Sequence, residues 1–111
     1  MKWYHNLFLG ETIAPKYKKI IRTIKYNKIT KIAPNIYVIA FASNPHNLLD
    51  IIPAWELMQK GYPKEHIRII GLAQGKKEAF EVVRQIVDET YQNTKSTNIK
   101  EYLRNEWREQ K

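Results

Sequence analysis

Chemistry in this chain would concentrate in two short segments, Ser43-Asn44-Pro45-His46-Asn47 and Gly71-Leu72-Ala73-Gln74-Gly75-Lys76-Lys77. The second sets a glycine-rich turn and a lysine pair where an apolar run gives way to a helical pattern, the context in which a chain cradles phosphate. It departs from the phosphate-binding loop of nucleotide hydrolases on two counts. Gly71 and Gly75 enclose one residue too few, and Lys77 stands where a hydroxyl side chain would hold magnesium. Nucleotide hydrolysis is therefore set aside. A weaker chemistry remains: free backbone N–H groups at a helix start, with Lys76 beside them, can accept an anion. The bland alternative is that the glycines simply permit a tight turn.

Ser43, His46 and Asp50 are the residue types of a hydrolytic triad, but they crowd into one stretch and no G-x-S-x-G elbow surrounds Ser43. They read better as a strand end and a helix start, with Asn47 as cap and Asp50 in the first turn. His5, His46 and His66 lack the spacing of a metal site. No catalytic residue, metal or cofactor is assigned, and the chain reads as a binding protein rather than an enzyme.

Charge supplies the other candidate surface. The net charge is +8, and residues 1–32 hold eight cations (Lys2, Lys16, Lys18, Lys19, Arg22, Lys25, Lys28, Lys31) against Glu11 alone. Such asymmetry favours a polyanionic partner, because a cationic face releases counterions from phosphates. Lys16, Lys18, Lys19, Arg22 and Lys25 are the candidate nucleic-acid contacts, although no recognition motif accompanies them. The competing reading is a solvated face that keeps a small protein soluble.

These residues need elements to hold them. At 111 residues, 43% of them apolar, the chain is one domain with one core. Thr12 as N-cap and Pro15 in the first turn open a helix to about Asn27, with Tyr17, Ile20, Ile21 and Ile24 on its apolar face. Residues 36–42 and 67–73 are continuous apolar runs, the pattern of central parallel strands. Leu48, Ile51, Ile52, Trp55 and Met58 read as a helix between them, with Pro53 as a kink or a late start. A helix over 76–91 carries Ala79, Phe80, Val83, Ile86, Val87 and Tyr91 on its stripe. A polar linker at 93–97 leads to a last helix at 98–110, opened by an Asn98–Glu101 capping box.

The expected fold is a small layered α/β domain over residues 1–111, in order α-β-α-β-α-α around a parallel βαβ unit. The arm at 1–11 is a candidate extra strand. Two strands leave an apolar edge open, so either that arm or a second copy of the chain must cover it, which makes a homodimer an expectation. Ligands of open parallel sheets bind outside the strand carboxyl ends. This puts Ser43, Asn44, Gly71, Gln74, Gly75 and Lys76 on one anion-accepting edge. Cysteine is absent, the run Met1–Leu9 is broken by His5 and Asn6 where a secretion signal would be apolar, and no stretch is long enough to span a bilayer. The expected location is the cytoplasm, with no membrane partner.

The stretches Asn44-Pro45-His46-Asn47-Leu48-Leu49-Asp50-Ile51-Ile52-Pro53-Ala54-Trp55-Glu56 and Ile69-Ile70-Gly71-Leu72-Ala73-Gln74-Gly75-Lys76-Lys77-Glu78-Ala79 resemble a group of short bacterial α/β proteins with no established activity. The resemblance covers roughly residues 35–90. It implies a small cytoplasmic α/β protein and nothing about catalysis. The expected function is thus a non-enzymatic binding or assembly module for an anionic ligand. The alternatives are nucleic-acid binding through the basic helix, and a small enzyme for a phosphorylated or acidic substrate, which would need a perturbed titratable group at the same edge.

Overall fold

The apolar run Arg68–Gln74 forms the strand around which the sheet is assembled, with Ile69 to Ala73 all buried. The computed structural model describes residues 1–42 and 48–108, with side chains to residue 104. In chain order the elements are β1 (Lys2–Leu9), α1 (Tyr17–Lys25), β2 (Ile36–Phe41), β3 (Leu49–Pro53), α2 (Ala54–Leu57), β4 (Arg68–Gln74), α3 (Lys76–Thr94) and α4 (Ile99–Arg108). A 3-10 turn, Ala14–Lys16, leads into α1. The strands form one sheet in the order β1-β4-β2-β3. The expected class, a small mixed α/β domain with an extra N-terminal strand, is what the chain adopts: Lys2–Leu9 runs parallel to β4 along its free edge.

The two central strands are not the parallel pair that their apolar runs imply. β2 lies antiparallel to β4, with Ile36 opposite Gln74 and Ala40 opposite Ile69. The cause is the segment between them. Residues 49–53, expected to be helical, form β3, which pairs antiparallel with β2 from Phe41↔Leu49 to Tyr37↔Pro53. Pro53 decides this locally. A proline disfavours the α conformation for the residue before it and cannot donate to a ladder, so Ile52 is extended and Pro53 ends an edge strand. Only the turn Ala54–Leu57 is helical, too short for a crossover. Continuous apolarity in β2 and β4 records burial on both faces, which neighbours of either direction provide.

The sheet is covered on both sides, giving three layers. One face packs Ile36, Val38, Ile69 and Leu72 against Ile24 of α1 and Ala54, Leu57 and Met58. The other packs Ile39, Ile70 and Ala73 against Ala79, Val82 and Ile86 of α3 and Ile99 and Leu103 of α4. Because β1 and β3 flank the central pair within the chain, the open edge that called for a second copy is already covered. The α3 stripe is narrower than expected: Phe80 and Tyr91 are exposed, and Thr90 is buried with its hydroxyl donating to Ile86 O. Asn98 caps α4 as expected, accepting from Glu101 N–H while its amide donates to the Glu101 carboxylate.

Ile69 and Leu72 face one layer while Ile70 and Ala73 face the other, a spacing of three that a regular strand of period two cannot give. The ladder shifts at this point on both sides, between Ile39 and Ala40 of β2 and between Trp3 and Phe8 of β1. Gly71 sits in the irregularity. A Cβ there would lie 2.9 Å from Phe8 O and 3.1 Å from Val82 Cγ1, so β1 and α3 both approach a bare backbone. Gly71→Ala should therefore lower the unfolding free energy by about 1–3 kcal/mol, the usual cost of forcing volume into a packed site. Urea titration followed by far-UV circular dichroism measures it.

Candidate functional site

The turn after β4 was expected to offer backbone donors to an anion. Gly75 adopts φ 90°, ψ 151°, where only glycine sits without strain, and α3 starts at Lys76. The third residue of that helix, Glu78, reaches back over this turn. Its carboxylate accepts the N–H of Gln74 at 2.7 Å and the N–H of Thr12 at 2.8 Å. Thr12, read in the sequence as an N-cap acceptor for the first helix, thus donates to a different helix. Gly10 makes room for this contact, since a Cβ on it would collide with the Glu78 side chain. Partial burial pushes the Glu78 carboxyl up, but hydrogen bonds from Gln74 N–H, from Thr12 N–H and hydroxyl and from Ile13 N–H outweigh it. The group lies below its ordinary pKa.

The anion-accepting edge is therefore not brought together as expected. Gly71 is buried beneath Phe8 O. Gln74 and Gly75 line a groove of about 550 Å³ that also carries Glu11, Glu78 and Glu81 against Lys77, so it is acidic rather than cationic. Gln74 Oε1 is buried there with no hydrogen-bond partner among the described residues. Lys76 points away, to a shallow surface shared with Tyr37, Leu49 and Phe80. Ser43 and Asn44 lie outside the described residues. β2 finishes at the end of the sheet where β4 begins, because the two strands run antiparallel.

The basic helix is placed as its pattern requires. Tyr17, Ile20, Ile21 and Ile24 turn toward the sheet, and Lys16, Lys18, Lys19, Arg22 and Lys25 are all exposed. Lys18, Arg22 and Lys25 stand at i, i+4 and i+7, a single stripe along α1. Among the described residues none of the five has a carboxylate partner; the ion pair Arg84–Glu81 lies on α3. The Lys25 ammonium sits 5.8 Å above the Trp3 ring, and Tyr26, next in the chain, is 70% exposed.

A third feature was missed in the sequence. At the end of the sheet where β2 finishes and β4 starts is a cavity of about 560 Å³, lined among others by Asp50, Tyr62, His66, Arg68, Lys100 and Arg104. Burial, then the charges of Glu56 and Asp50, push the Tyr62 phenol above its ordinary pKa. The one sequence signal for this cluster is the i, i+4 pair Lys100 and Arg104; its other members come from β3, the coil before β4 and the first residue of β4, an arrangement that the helical reading of residues 48–58 obscured.

Among the described residues no group of three or more His, Asp or Glu side chains is close enough to hold a metal ion. No helix is long and apolar enough to cross a membrane among those residues. Comparison with protein families, with curated proteins and with solved structures gives no match. Fold and surface together define a three-layer α/β protein with one cationic helix face and one cation-lined cavity.

The Glu78 contacts make a pH prediction. A carboxyl whose pKa is lower folded than unfolded stabilises the fold above the ordinary glutamate range, and the gain is lost as pH falls through the folded value. Glu78→Gln should cost about 2 kcal/mol at pH 7, the scale of charge-assisted hydrogen bonds. The difference from the parent protein should shrink toward pH 3. Urea midpoints measured across that range check both the size and the sign.

Proposed function

We propose that the protein binds single-stranded nucleic acid across the cationic stripe of α1. The observation that carries this reading is the composition of the stripe. Seven exposed cations, Lys16, Lys18, Lys19, Arg22, Lys25, Lys28 and Lys31, follow one another along α1 and the turn after it with no acidic residue among them. A face that serves solubility interleaves both signs; here the charges repel one another, and a line of phosphates relieves that repulsion. From Lys18 to Lys25 the helix advances about 10 Å, a span of roughly three phosphates along one strand. The apolar face of α1, fixed against the sheet, holds the stripe outward as a preformed surface.

Single strands are favoured over duplex by the aromatic rings at the end of the stripe. Tyr26 offers an exposed face on which a base can stack, and the Trp3 ring lies under the Lys25 ammonium. The groove after β4 is a less favourable seat for an anion, since it carries Glu11, Glu78 and Glu81 against Lys77.

Fluorescence anisotropy with a labelled oligothymidylate, titrated over a range of salt concentrations, tests the proposal. Three phosphate contacts predict a slope of log K against log salt of about −2. Lys18→Gln combined with Arg22→Gln should flatten that slope by about 1.4, and Tyr26→Ala should weaken binding by about 1–3 kcal/mol. Absence of binding at low salt, or binding indifferent to salt and to these substitutions, refutes it.

A further inference from the structure

We propose that the cavity at the β2–β4 end of the sheet binds a small organic anion, a phosphate or carboxylate head carried on an apolar body. At about 560 Å³ it falls within the range of small-molecule sites. Its lining divides into two parts. Ala40 and Ile52 of the sheet, Ile67 in the coil and the rings of Phe41 and Tyr62 give it an apolar floor. Arg68, at the start of β4, and Lys100 and Arg104, one turn apart on α4, give it cations from two elements far apart in the chain.

The charge is one-sided. Against those three cations the lining has one carboxylate, Asp50, and a His66 imidazole that adds positive charge when protonated. Three cations gathered around a concave, partly apolar surface raise one another's energy, and a bound anion reverses the sign of that interaction. The groove at the opposite end of β4 has the opposite balance, with three carboxylates against one lysine, so an anion is directed to one end of the sheet. Packing holds the cationic wall in place: Ile99 and Leu103 are buried in the core, which fixes the face of α4 that carries Lys100 and Arg104. The Tyr62 phenol in the lining is an O–H donor that can face an anionic oxygen. The apolar floor determines the rest of the ligand, because a bare inorganic anion would leave it in water.

None of these residues belongs to α1, so this site stands or falls independently of nucleic-acid binding. Titrations of the ¹⁵N-labelled full-length protein by NMR with phenyl phosphate, benzoate, inorganic phosphate and benzyl alcohol test it. Phenyl phosphate or benzoate should shift the amides of Ala40, Ile52, Ile67 and Arg68 saturably, with a dissociation constant of about 1 mM or tighter. Inorganic phosphate and benzyl alcohol, each lacking one half of the ligand, should bind about tenfold or more weakly. Lys100→Gln with Arg104→Gln should weaken phenyl phosphate about tenfold or more. Both side chains are exposed, so that variant should keep the parent spectrum; Arg68→Gln is the second variant. Lys18→Gln with Arg22→Gln should leave phenyl phosphate binding unchanged. The proposal is overturned if neither organic anion gives saturable shifts, or if benzyl alcohol binds as well as they do. Full affinity in the Lys100/Arg104 variant also overturns it, as do shifts confined to α1.

Discussion

The carboxylate of Glu78 lies between the end of β4 and the chain leaving β1, accepting N–H groups from Gln74 on one side and from Thr12 on the other. A parallel strand pair such as β1 and β4 has no hairpin to set its register, and β1 departs from regular pairing after Trp3. Something must hold the far end of β1 in line. Gly10 N–H donates to Leu72 O at 3.0 Å, and two residues further on Glu78 closes the contact. From there the chain turns through Ala14–Lys16 into α1 on the layer opposite α3. The placement of the basic helix therefore begins at one acidic side chain on another layer.

That same contact changes what the end of α3 can do. A helix start with a glycine turn attracts anions because its first N–H groups lack partners. Here the carboxylate of Glu78 lies beside that start, and with Glu11 and Glu81 it leaves the groove acidic. A glycine-lysine turn at a helix start is thus ambiguous in sequence: the same residues serve a bound phosphate or an internal carboxylate. The residue that separates the two is Glu78, two positions after Lys76, and it reads at first as an ordinary acidic residue of a first turn.

Legibility in the sequence followed burial. The runs at 36–42 and 67–73, the apolar stripe of α1, the long helix from Lys76 and the Asn98–Glu101 cap are strong local patterns, and each is present in the fold. Residues 48–58 carried two patterns at once. Leu48, Ile51, Ile52, Trp55 and Met58 repeat at helical spacing, while Leu49 and Ile51 alternate with Asp50 and Ile52 as in a strand. Pro53 favours the strand, and sheet pairing with β2 settled it. The consequence was larger than one element: exchanging a helix for a strand paired with β2 reversed β4 relative to β2. The cation-lined cavity was out of reach for the same reason, since it is assembled from β2, β3, the coil before β4, the start of β4 and α4.

The cations that carry both proposed surfaces have little part in the stability of the fold. Exposed ion pairs contribute roughly 0–1 kcal/mol, and those on α1 have no carboxylate partner among the described residues to make even that. Packing of Ile24 and its neighbours fixes α1 whatever stands on the outer face. Net charge serves solubility best with both signs interspersed, whereas here nearly all the excess sits on residues 1–32. The acidic residues are spread over the rest of the chain, ten of the eleven lying beyond residue 32. A chain of this size that separates its charges carries self-repulsion along each patch, which an oppositely charged partner would relieve at the stripe and at the cavity. The field of the molecule is thus organised by where its carboxylates are absent, which a composition conceals and a fold reveals.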